Sequence, residues 1–512
     1  MSTAAILSRN LLSNWGGFMF QVLVAFALTP YIVASLGNTY YGIWALIVSM
    51  TGYYGLFDLG FSASLTQYVT RYFATGDFKR LNQSVSTGFV LLAGLSLTLL
   101  VVSIGLALAA ERIFEIPTEA AGELRVAILI VGCGTALQFL FVPFSVVFPA
   151  TQRFDIANVI GVGTRVFFAA AVYFALHQGY GLIGVSVATT VSTLVDYVIR
   201  CVVAYRIMPG LRVSPRLASA ARARELAHFA VWNVVIAGSI RLISYSDAVV
   251  IAVFLPPAAI TPFALATSLT DYFMRVFVPI GQVFFPALTE RDALADAAGI
   301  RILFLSGTRL LAVIALPAAL IAFWFCDAFF ALWIGPASAD ARYPSAASLF
   351  SVLIVASAMS AIQRVAYQVL LGSRRIRPLA ICFIAEAAAN VLISVALVGP
   401  VGLIGIALGT VIPALVIEGV IIPYLICRTY SISIIDYLLG VYGRAILITL
   451  VLYPLVYAIT TRFPARTWGW FVLDGAIVGA ALGGLIVSLG MSAAERRRFI
   501  WNPVGRRWRA RG

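Results

Sequence analysis

Charged side chains are scarce in this chain. Asp, Glu, Lys and Arg make up 11% of the 512 residues, whereas hydrophobic residues make up 62%. Soluble domains average about 25% charged and about 45–50% apolar residues, so this shortage excludes a soluble globular domain. The shortage of charge and the mean hydropathy of +0.99 together predict an all-α polytopic membrane protein.

Residues and motifs that carry catalysis are also few. The chain has 2 histidines and 5 cysteines; the histidines are far apart and no two cysteines have C-x-x-C spacing, which disfavours a metal site or a disulfide framework. No G-x-x-x-x-G-K-[ST] phosphate loop occurs, so the chain itself does not hydrolyse ATP. No loop is long enough for a catalytic domain outside the membrane. We therefore expect a protein that is not an enzyme and needs no cofactor.

Apolar runs of about 20 residues, the length of a membrane-spanning helix, fill almost the whole sequence. We expect fourteen such helices. They cover approximately 11–34, 40–66, 85–108, 124–149, 158–176, 181–204, 226–253, 260–286, 301–325, 345–370, 378–398, 402–427, 441–461 and 468–490. The first run is long enough to span the bilayer, and we expect it to be retained rather than removed as a signal peptide.

The net charge of +14 is distributed unevenly along the chain. Most of the 35 Lys and Arg lie in the termini and the even-numbered loops, with dense groups at 206–224, 374–377 and 495–512. Because cytoplasmic loops carry an excess of basic residues, both termini are predicted to be cytoplasmic. The last group suits the surface of anionic lipid. The positive charge thus has a topological role, and no nucleic-acid partner is expected.

One pentapeptide recurs with little change. Residues 181–185 read GLIGV and residues 402–406 read GLIGI, 221 positions later. This offset covers six predicted helices, so the second copy starts on the same side as the first and the repeats are parallel, as in many transporters. We expect two six-helix lobes around a central cavity. The predicted divisions are an N-lobe at 1–204, a cytoplasmic linker at 205–225, a C-lobe at 226–430, helices 13 and 14 at 431–490, and a basic cytoplasmic tail at 491–512.

Several ionisable side chains fall inside the predicted helices. Each costs at least about 2.5–3.5 kcal/mol at mid-membrane, so each is a candidate functional group that faces a cavity. The deepest are Arg241 and Asp247 in helix 7, Asp271 and Arg275 in helix 8, and Glu386 in helix 11. Arg241 has no acidic residue three or four positions away, so it needs a partner from another helix, water or substrate. A salt bridge between Asp271 and Arg275 is the structural alternative for helix 8.

Other charged residues lie nearer the helix ends. Arg165, Arg309 and Arg364 can extend towards the cytoplasmic surface, and Asp196 can pair with Arg200 one turn further on. We expect structural or interfacial roles for these residues. Arg165 and Arg309 are kept, with Glu386, as secondary candidates for the site.

Helix 2 places Tyr54 and Asp58 on one face, among closely spaced glycines. Glycines let membrane helices approach closely, so packing is the structural interpretation of this segment. Asp58 is also a candidate cavity acid or ion-coupling residue. Glu418, in helix 12, is a weaker candidate.

Two neighbouring stretches carry a resemblance to a known family. Residues 36–46 read LGNTYYGIWAL, and GLFDLGF follows at 55–61 with LT at 65–66. This opening resembles the polysaccharide-transporter family, the O-antigen and exopolysaccharide flippases of the MOP superfamily. The organisation is similar over the whole chain, and the local motif is moderately specific in helices 1 and 2. The resemblance implies two six-helix lobes, two further helices and cytoplasmic termini.

The resemblance implies a function as well. Such a protein moves an undecaprenyl-diphosphate-linked oligosaccharide from the cytoplasmic to the periplasmic leaflet of the bacterial inner membrane by ion-coupled alternating access. A diphosphate suits the planar donors of arginine, and Arg241 and Arg275 lie where helices 7 and 8 of such proteins face the central cavity. Asp58, Asp247 and Asp271 are the corresponding candidates for coupling to H⁺ or Na⁺.

Aromatic side chains are weaker candidates. Tyr54 and Tyr245 are placed to stack on sugar rings, although aromatic residues at helical spacing more often belong to the core. The implied partners are the lipid-linked oligosaccharide, membrane lipids, a polysaccharide polymerase and glycosyltransferases.

Two alternative functions stay open. One is a MOP-type antiporter of small cationic compounds, which typically has twelve helices and a less cationic cavity. The other is a non-transporting membrane scaffold for glycan assembly. A scaffold has no use for costly mid-membrane charges.

Overall fold

The computed structural model describes residues 3–58, 60–228, 231–335, 340–373 and 375–490. These ranges are helical and contain no strand, which confirms the all-α prediction. The helices up to residue 254 are α1 (Thr3–Gly52), α2 (Phe61–Ala74), α3 (Phe78–Ile113), α4 (Thr118–Gln138), α5 (Val142–Ser145), α6 (Val147–Ala150), α7 (Phe154–His177), α8 (Gly181–Ile207), α9 (Ala220–His228) and α10 (Val231–Phe254). The predicted tail at 491–512 and Arg374 lie outside the described residues.

The remaining helices continue to residue 485. They are α11 (Ile260–Gln282), α12 (Phe284–Ala293), α13 (Ala297–Trp333), α14 (Ala346–Ile362), α15 (Arg364–Gly372), α16 (Ile376–Val401), α17 (Leu403–Val416), α18 (Ile422–Thr429), α19 (Ile434–Arg462) and α20 (Trp468–Leu485). Short 3₁₀ turns occur at Tyr53–Asp58, Pro215–Leu217 and Pro257–Ala259, and π turns at Ile417–Ile421 and Ile486–Gly490.

Within the described ranges, 13 helical stretches are long and apolar enough to cross a membrane. The first, Gly16–Asp58, has 43 residues and would be about 65 Å long, twice the hydrocarbon thickness of about 30 Å. Gly37 interrupts this stretch with φ 71° and ψ 172°, a backbone conformation that glycine adopts readily. The stretch thus has the length of two predicted helices with a break between them. The count of fourteen and the two lobes stay predictions.

The second predicted helix, at 40–66, is not continuous, so that expectation was wrong in detail. The α-helix ends at Gly52, Tyr53–Asp58 form a 3₁₀ turn, and α2 starts at Phe61 after Gly60 with φ 71°. The glycines among these residues have low helix propensity, and the positive φ of Gly60 cannot belong to an α-helix. The break places the Tyr53–Asp58 segment where α1 and α2 meet.

The described chain divides into two compact units. The first comprises 3–264, 340–343 and Val395–Ile406, and the second comprises Leu265–Gly335, Pro344–Ser394 and 407–490. In the first unit, Tyr54, Leu92, Leu99 and Phe139 form part of the buried core. The second unit packs α13 against α19 and α20 through buried residues that include Phe325, Leu452 and Val478. The predicted lobe boundaries stay predictions.

The sequence repeat has a counterpart in local structure. Gly181 has φ 51° and opens α8, and Gly402 has φ 65° and immediately precedes α17. Both members of the pentapeptide therefore start a helix from a left-handed glycine. The repeated glycines are explained by this backbone geometry.

A second pair of positions shows the same correspondence. Asp77 accepts a hydrogen bond from the N–H of Arg80 and caps α3, while Asp296 accepts one from Gly299 and caps α13. These two aspartates are 219 positions apart, and each follows a residue of positive φ. Hydrogen bonds from the Gly299 N–H and the Arg291 guanidinium lower the pKa of Asp296, so this cap weakens as the pH falls through the acid range.

Glycine also permits a close approach near the start of the family-like motif. Gly42 of α1 lies directly beneath the Pro257–Ala259 turn, where a Cβ atom would overlap the Pro257 carbonyl oxygen. The Thr261 hydroxyl donates to the carbonyl oxygen of Asn38 at 2.6 Å across the same contact. The backbone of α1 therefore packs against the turn with no room for a side chain.

We expect Gly42→Ala to destabilise the first unit, because the added methyl meets backbone rather than a movable side chain. Overpacking of this kind costs about 1–3 kcal/mol. The measurement is the thermal unfolding midpoint of the detergent-purified protein. Gly94→Ala in α3 is the matched control: nothing lies within 4 Å of its added methyl, so its midpoint should stay unchanged or rise slightly. Equal midpoints for the two variants would contradict the close contact at Gly42.

Candidate functional site

Arg241 of α10 lies against the 3₁₀ turn that follows α1. Its Nη1 donates a hydrogen bond of 3.0 Å to the carbonyl oxygen of Gly52. A Cβ atom at Gly55 would overlap the guanidinium group. Helical glycines thus make the space in which this arginine lies, and they leave its side chain half-buried.

Tyr245 continues this contact one turn further along α10. A Cβ atom at Gly52 would lie 2.5 Å from its ring, and the ring packs edge-on against Tyr53 at 5.7 Å between centroids. Arg241 and Tyr245 are four residues apart and each faces one glycine, so a ridge of α10 fills a groove of the neighbouring segment. Asp247, only 6% exposed, lies near the Tyr53 side chain.

The guanidinium group of Arg241 keeps donors for a ligand. An arginine has five N–H donors, and within the described chain Arg241 makes the single bond to Gly52 and no ion pair. The sequence predicted that this residue needs a partner from another helix, and the structure supplies a carbonyl dipole rather than a carboxylate. Arg241 therefore keeps its full positive charge available to an anion.

A polar cavity of about 420 Å³ lies within the first unit. Two arginines, one aspartate and several hydroxyl groups line it, together with three aromatic side chains. The lining residues are Gln21, Trp44, Gly161, Thr164, Arg165, Phe168, Thr189, Ser192, Thr193, Asp196, Tyr197 and Arg200. Such a group of polar side chains is costly among apolar helices, which marks the cavity as a candidate ligand site.

The predicted pair of Asp196 and Arg200 is confirmed in this cavity. Arg200 Nε lies 2.5 Å from Asp196 Oδ2, and the Thr164 hydroxyl donates to Asp196 Oδ1 at 2.9 Å. Asp196 neutralises Arg200, and Arg165 is the second arginine of the lining. Its guanidinium carbon lies 5.4 Å from the centroid of the Phe168 ring. Arg165 is thus a cavity residue and not only an interfacial one.

Asp58 and Tyr54 have different surroundings although both belong to the broken second helix. Asp58 accepts a hydrogen bond of 2.6 Å from the Ser62 hydroxyl and lies near Tyr197, a cavity residue. Tyr54 is 2% exposed, and its hydroxyl bonds to that of Ser103 at 2.7 Å. The position of Tyr54 fits the packing interpretation rather than a contact with ligand.

The second unit contains the other predicted residues. Asp271 and Arg275 lie exposed on one face of α11, and in the described chain they make no ion pair with each other. The salt bridge that would have neutralised them is therefore not formed. Arg309 is half-buried in α13. Since neither residue of α11 is paired with the other, Asp271 and Arg275 both stay candidates for the functional site.

A pair of carboxylates is the feature that sequence reasoning missed. Glu386 is 4% and Glu418 is 3% exposed, and the two charges are close enough to interact. Glu418 also accepts hydrogen bonds from Ser360 and Tyr367. The sequence placed one glutamate in each of two successive helices, but their proximity depends on helix packing. In the sequence, the two glutamates have one feature in common: each is an acidic residue inside an apolar helix with no basic residue one turn away.

Residues 7–291 match the family described as "Polysaccharide biosynthesis protein". The chain is also similar to the protein described as "Uncharacterized membrane protein EpsK" from Bacillus subtilis (strain 168). The two are 21% identical over 442 residues, which cover 85% of this chain and 86% of that protein.

Two solved structures share the fold. The lipid II flippase MurJ, in its inward closed conformation, matches with a TM-score of 0.70 and 12% identity, over 93% of this chain and 98% of that one. An inward-facing multidrug resistance MATE family transporter of the MOP superfamily matches with a TM-score of 0.66 and 16% identity, over 80% and 94% of the two chains. At such low identity these similarities show the fold alone.

The helical architecture is similar to that of solved MOP-superfamily transporters. The family match covers more than half of the 512 residues, so the sequence-based recognition of the family is confirmed. The chain belongs to the polysaccharide biosynthesis protein family and is a multi-pass membrane protein.

Proposed function

We propose that this protein is a flippase for polysaccharide biosynthesis. It moves an undecaprenyl-diphosphate-linked oligosaccharide from the cytoplasmic to the periplasmic leaflet of the bacterial inner membrane, with both termini in the cytoplasm. The observation that carries the proposal is the polar cavity with two arginines and one aspartate in a unit built from apolar helices. Alternating access, coupled to H⁺ or Na⁺, exposes the substrate site to each side in turn.

The diphosphate is the part of this substrate that most needs a protein. An isolated ion costs tens of kcal/mol to transfer into an apolar medium. The polyprenyl chain is apolar and mixes with the lipid tails without such a cost. Arg165 in the cavity and Arg241 on α10 supply charged donors for phosphate oxygens. Arg275, exposed on α11 and without an ion-pair partner in the described chain, is a third such donor.

The cavity also suits a sugar. Trp44 and Phe168 present aromatic surfaces beside the hydroxyl groups of Thr189 and Thr193, and this mixture matches the apolar faces and hydroxyl edges of a pyranose ring. A volume of about 420 Å³ lies in the range of about 300–1,000 Å³ for ligand pockets. It accommodates a part of the head group, while the lipid chain stays in the membrane.

Similarity to the lipid II flippase supports this assignment by analogy. That protein is a lipid II flippase, and its structure matches 93% of this chain. We further propose that a polysaccharide polymerase and glycosyltransferases act before and after translocation as functional partners.

A small-cation antiporter is the second candidate function, because the fold is also similar to a multidrug resistance transporter. The excess of arginine over aspartate in the cavity of the first unit disfavours a cationic substrate. A scaffold without transport is disfavoured too, since it has no need for a polar cavity among apolar helices.

We expect Arg241→Ala and Arg275→Ala to abolish export of lipid-linked sugar without lowering expression. Each change removes donors for the diphosphate; Arg275 is exposed, and Arg241 packs only partly buried against the turn at Gly52 and Gly55. The measurement is surface polysaccharide in a flippase-deficient strain that expresses each variant. Arg80→Ala is the control, because Arg80 is largely exposed and pairs with Asp77 at the end of a helix. Full complementation by both variants would overturn the role of the arginines in transport.

We expect Gly55→Ala to impair transport through Arg241 alone. The new methyl meets the movable end of the arginine and no backbone, so the guanidinium shifts and the protein stays folded. Loss of one hydrogen bond to a charged group, about 1.5–3 kcal/mol, predicts about a 10–100-fold weaker substrate interaction. Export and the unfolding midpoint are both measured.

Gly238→Ala is the matched control for this variant. It adds a methyl on α10, where the nearest atom is Leu56 Cδ2 at 3.6 Å, an ordinary contact. Its export and stability should both match the parent protein. Normal export by Gly55→Ala would show that the position of Arg241 does not matter for transport.

A further inference from the structure

Two glutamates that the sequence offered only as secondary or weaker candidates lie deep inside the second unit. Glu386 in α16 is 4% exposed, and Glu418, at the junction of α17 and α18, is 3% exposed. Buried carboxylates are rarely retained without a partner or a function, since an uncompensated charge there is strongly unfavourable. The pair therefore needs a physical explanation.

The surroundings of Glu418 are built to hold a carboxylate. The Ser360 hydroxyl donates to one of its oxygens and the Tyr367 hydroxyl donates to the other. Glu418 also lies in the π turn Ile417–Ile421, an irregularity inside an otherwise α-helical segment. Such turns occur frequently at functional sites because they displace one side chain from the regular helix surface.

Glu386 is only partly satisfied. Its Oε2 atom is buried and has no hydrogen-bond partner among the described residues. Tyr367, which donates to Glu418, packs its ring 5.3 Å from that of Phe383, three positions before Glu386 in the same helix, so the two glutamates belong to one cluster. An orphan carboxylate oxygen beside a second buried acid is a poor place for two negative charges, but a protonated carboxyl suits it.

The other ionisable groups around the pair are Arg364, Tyr367 and Cys382. The guanidinium carbon of Arg364 lies 5.0 Å from the centroid of the Tyr367 ring, and Arg364 makes no ion pair with either glutamate in the described chain. Its charge still acts on both glutamates through space. With one proton on the pair, the two glutamates and Arg364 have no net charge; without it, the cluster is negative.

We propose that Glu386 and Glu418 together bind one exchangeable proton and form the site that couples transport to the proton gradient. Uptake makes one O–H bond at Glu386 Oε2 with a proton from water on one side of the membrane. Release breaks this bond and returns the proton to water on the other side. Proton binding stands independently of the substrate, whereas the coupling role rests on the proposed flippase function.

A proton fits these contacts better than a sodium ion. A metal cation needs several oxygen atoms with available lone pairs around it. Both oxygens of Glu418 instead accept hydrogen bonds from Ser360 and Tyr367, and Glu386 Oε2 is an orphan acceptor. One orphan acceptor is enough for a proton, whereas no group of three or more His, Cys, Asp or Glu that could hold a metal ion occurs among the described residues.

The proton gives the cluster two electrostatic states. In the neutral, protonated state the pair is compatible with burial among apolar helices, as in this structure. In the negative, deprotonated state a conformation that admits water is favoured, because water stabilises the charge. Protonation can thus bias the protein between a closed and an open arrangement of the second unit.

The direct test is infrared titration of the purified full-length protein, with the proton itself as the probe. The carbonyl stretch of a protonated carboxylic acid should be present in the parent protein near neutral pH, where exposed carboxylates are ionised, and should be lost in Glu386→Gln and in Glu418→Gln. Glu290→Gln is the matched control, because Glu290 is exposed in α12 and should leave this band unchanged. A band that persists in both variants, or is absent from the parent, would overturn the site.

Tyr367→Phe provides a test that keeps both carboxylates. Removing the hydroxyl takes away a donor that stabilises the charged form of Glu418, so the band should remain and its midpoint should move to higher pH. An unchanged midpoint would contradict the proposed role of this hydrogen bond. Loss of the band on addition of sodium at constant pH would show a sodium site instead and overturn the proton assignment.

Export in the flippase-deficient strain then tests coupling separately. Glu386→Gln and Glu418→Gln should lower export at least about tenfold, the effect of about 1.4 kcal/mol. Normal export by both variants that have lost the infrared band would overturn coupling and leave proton binding intact. If the parent protein itself fails to export lipid-linked sugar, the flippase function fails, while the infrared result still decides whether the pair binds a proton.

Discussion

The cost of placing charge among apolar helices governs this protein. With 62% hydrophobic residues, the chain has little to gain from a buried ion and much to lose. The structure meets this cost in three ways. Asp196 neutralises Arg200, a backbone carbonyl accepts from Arg241, and hydroxyl groups donate to Glu418. Among the described residues Arg241 has no ion-pair partner, so its guanidinium group stays available to a ligand.

In the first unit, glycine residues make room for the Arg241 side chain between helices. A long charged side chain such as Arg241 cannot enter a helix interface that is already filled, and Gly52 and Gly55 leave the space that its guanidinium and the Tyr245 ring occupy. The same residues weaken the α-helix, so that the helix gives way to a 3₁₀ turn there. Close packing and the broken second helix are therefore two consequences of one local sequence.

Patterns of short range were predictable, and contacts between distant residues were not. The apolar runs predicted the helices, and the four-residue spacing of Asp196 and Arg200 predicted their ion pair, because helix geometry alone decides both. The same spacing predicted an ion pair between Asp271 and Arg275 that the described chain does not form. Nothing local could show that Arg165 lines a cavity or that Glu386 lies beside Glu418. Those facts depend on how helices pack, which one sequence does not reveal.

The duplication separates what is structural from what is specific. The left-handed glycines at 181 and 402 and the capping aspartates at 77 and 296 repeat the same backbone geometry, so the repeat preserves the scaffold. The charged residues proposed to act in transport do not repeat. The first unit holds a cavity with an excess of arginine, and the second unit holds a pair of buried carboxylates. On the proposed function, these opposite chemistries divide the work: arginine for an anionic substrate and carboxylate for a proton. The proposed functional sites therefore lie where the two halves of the chain differ and not where they repeat.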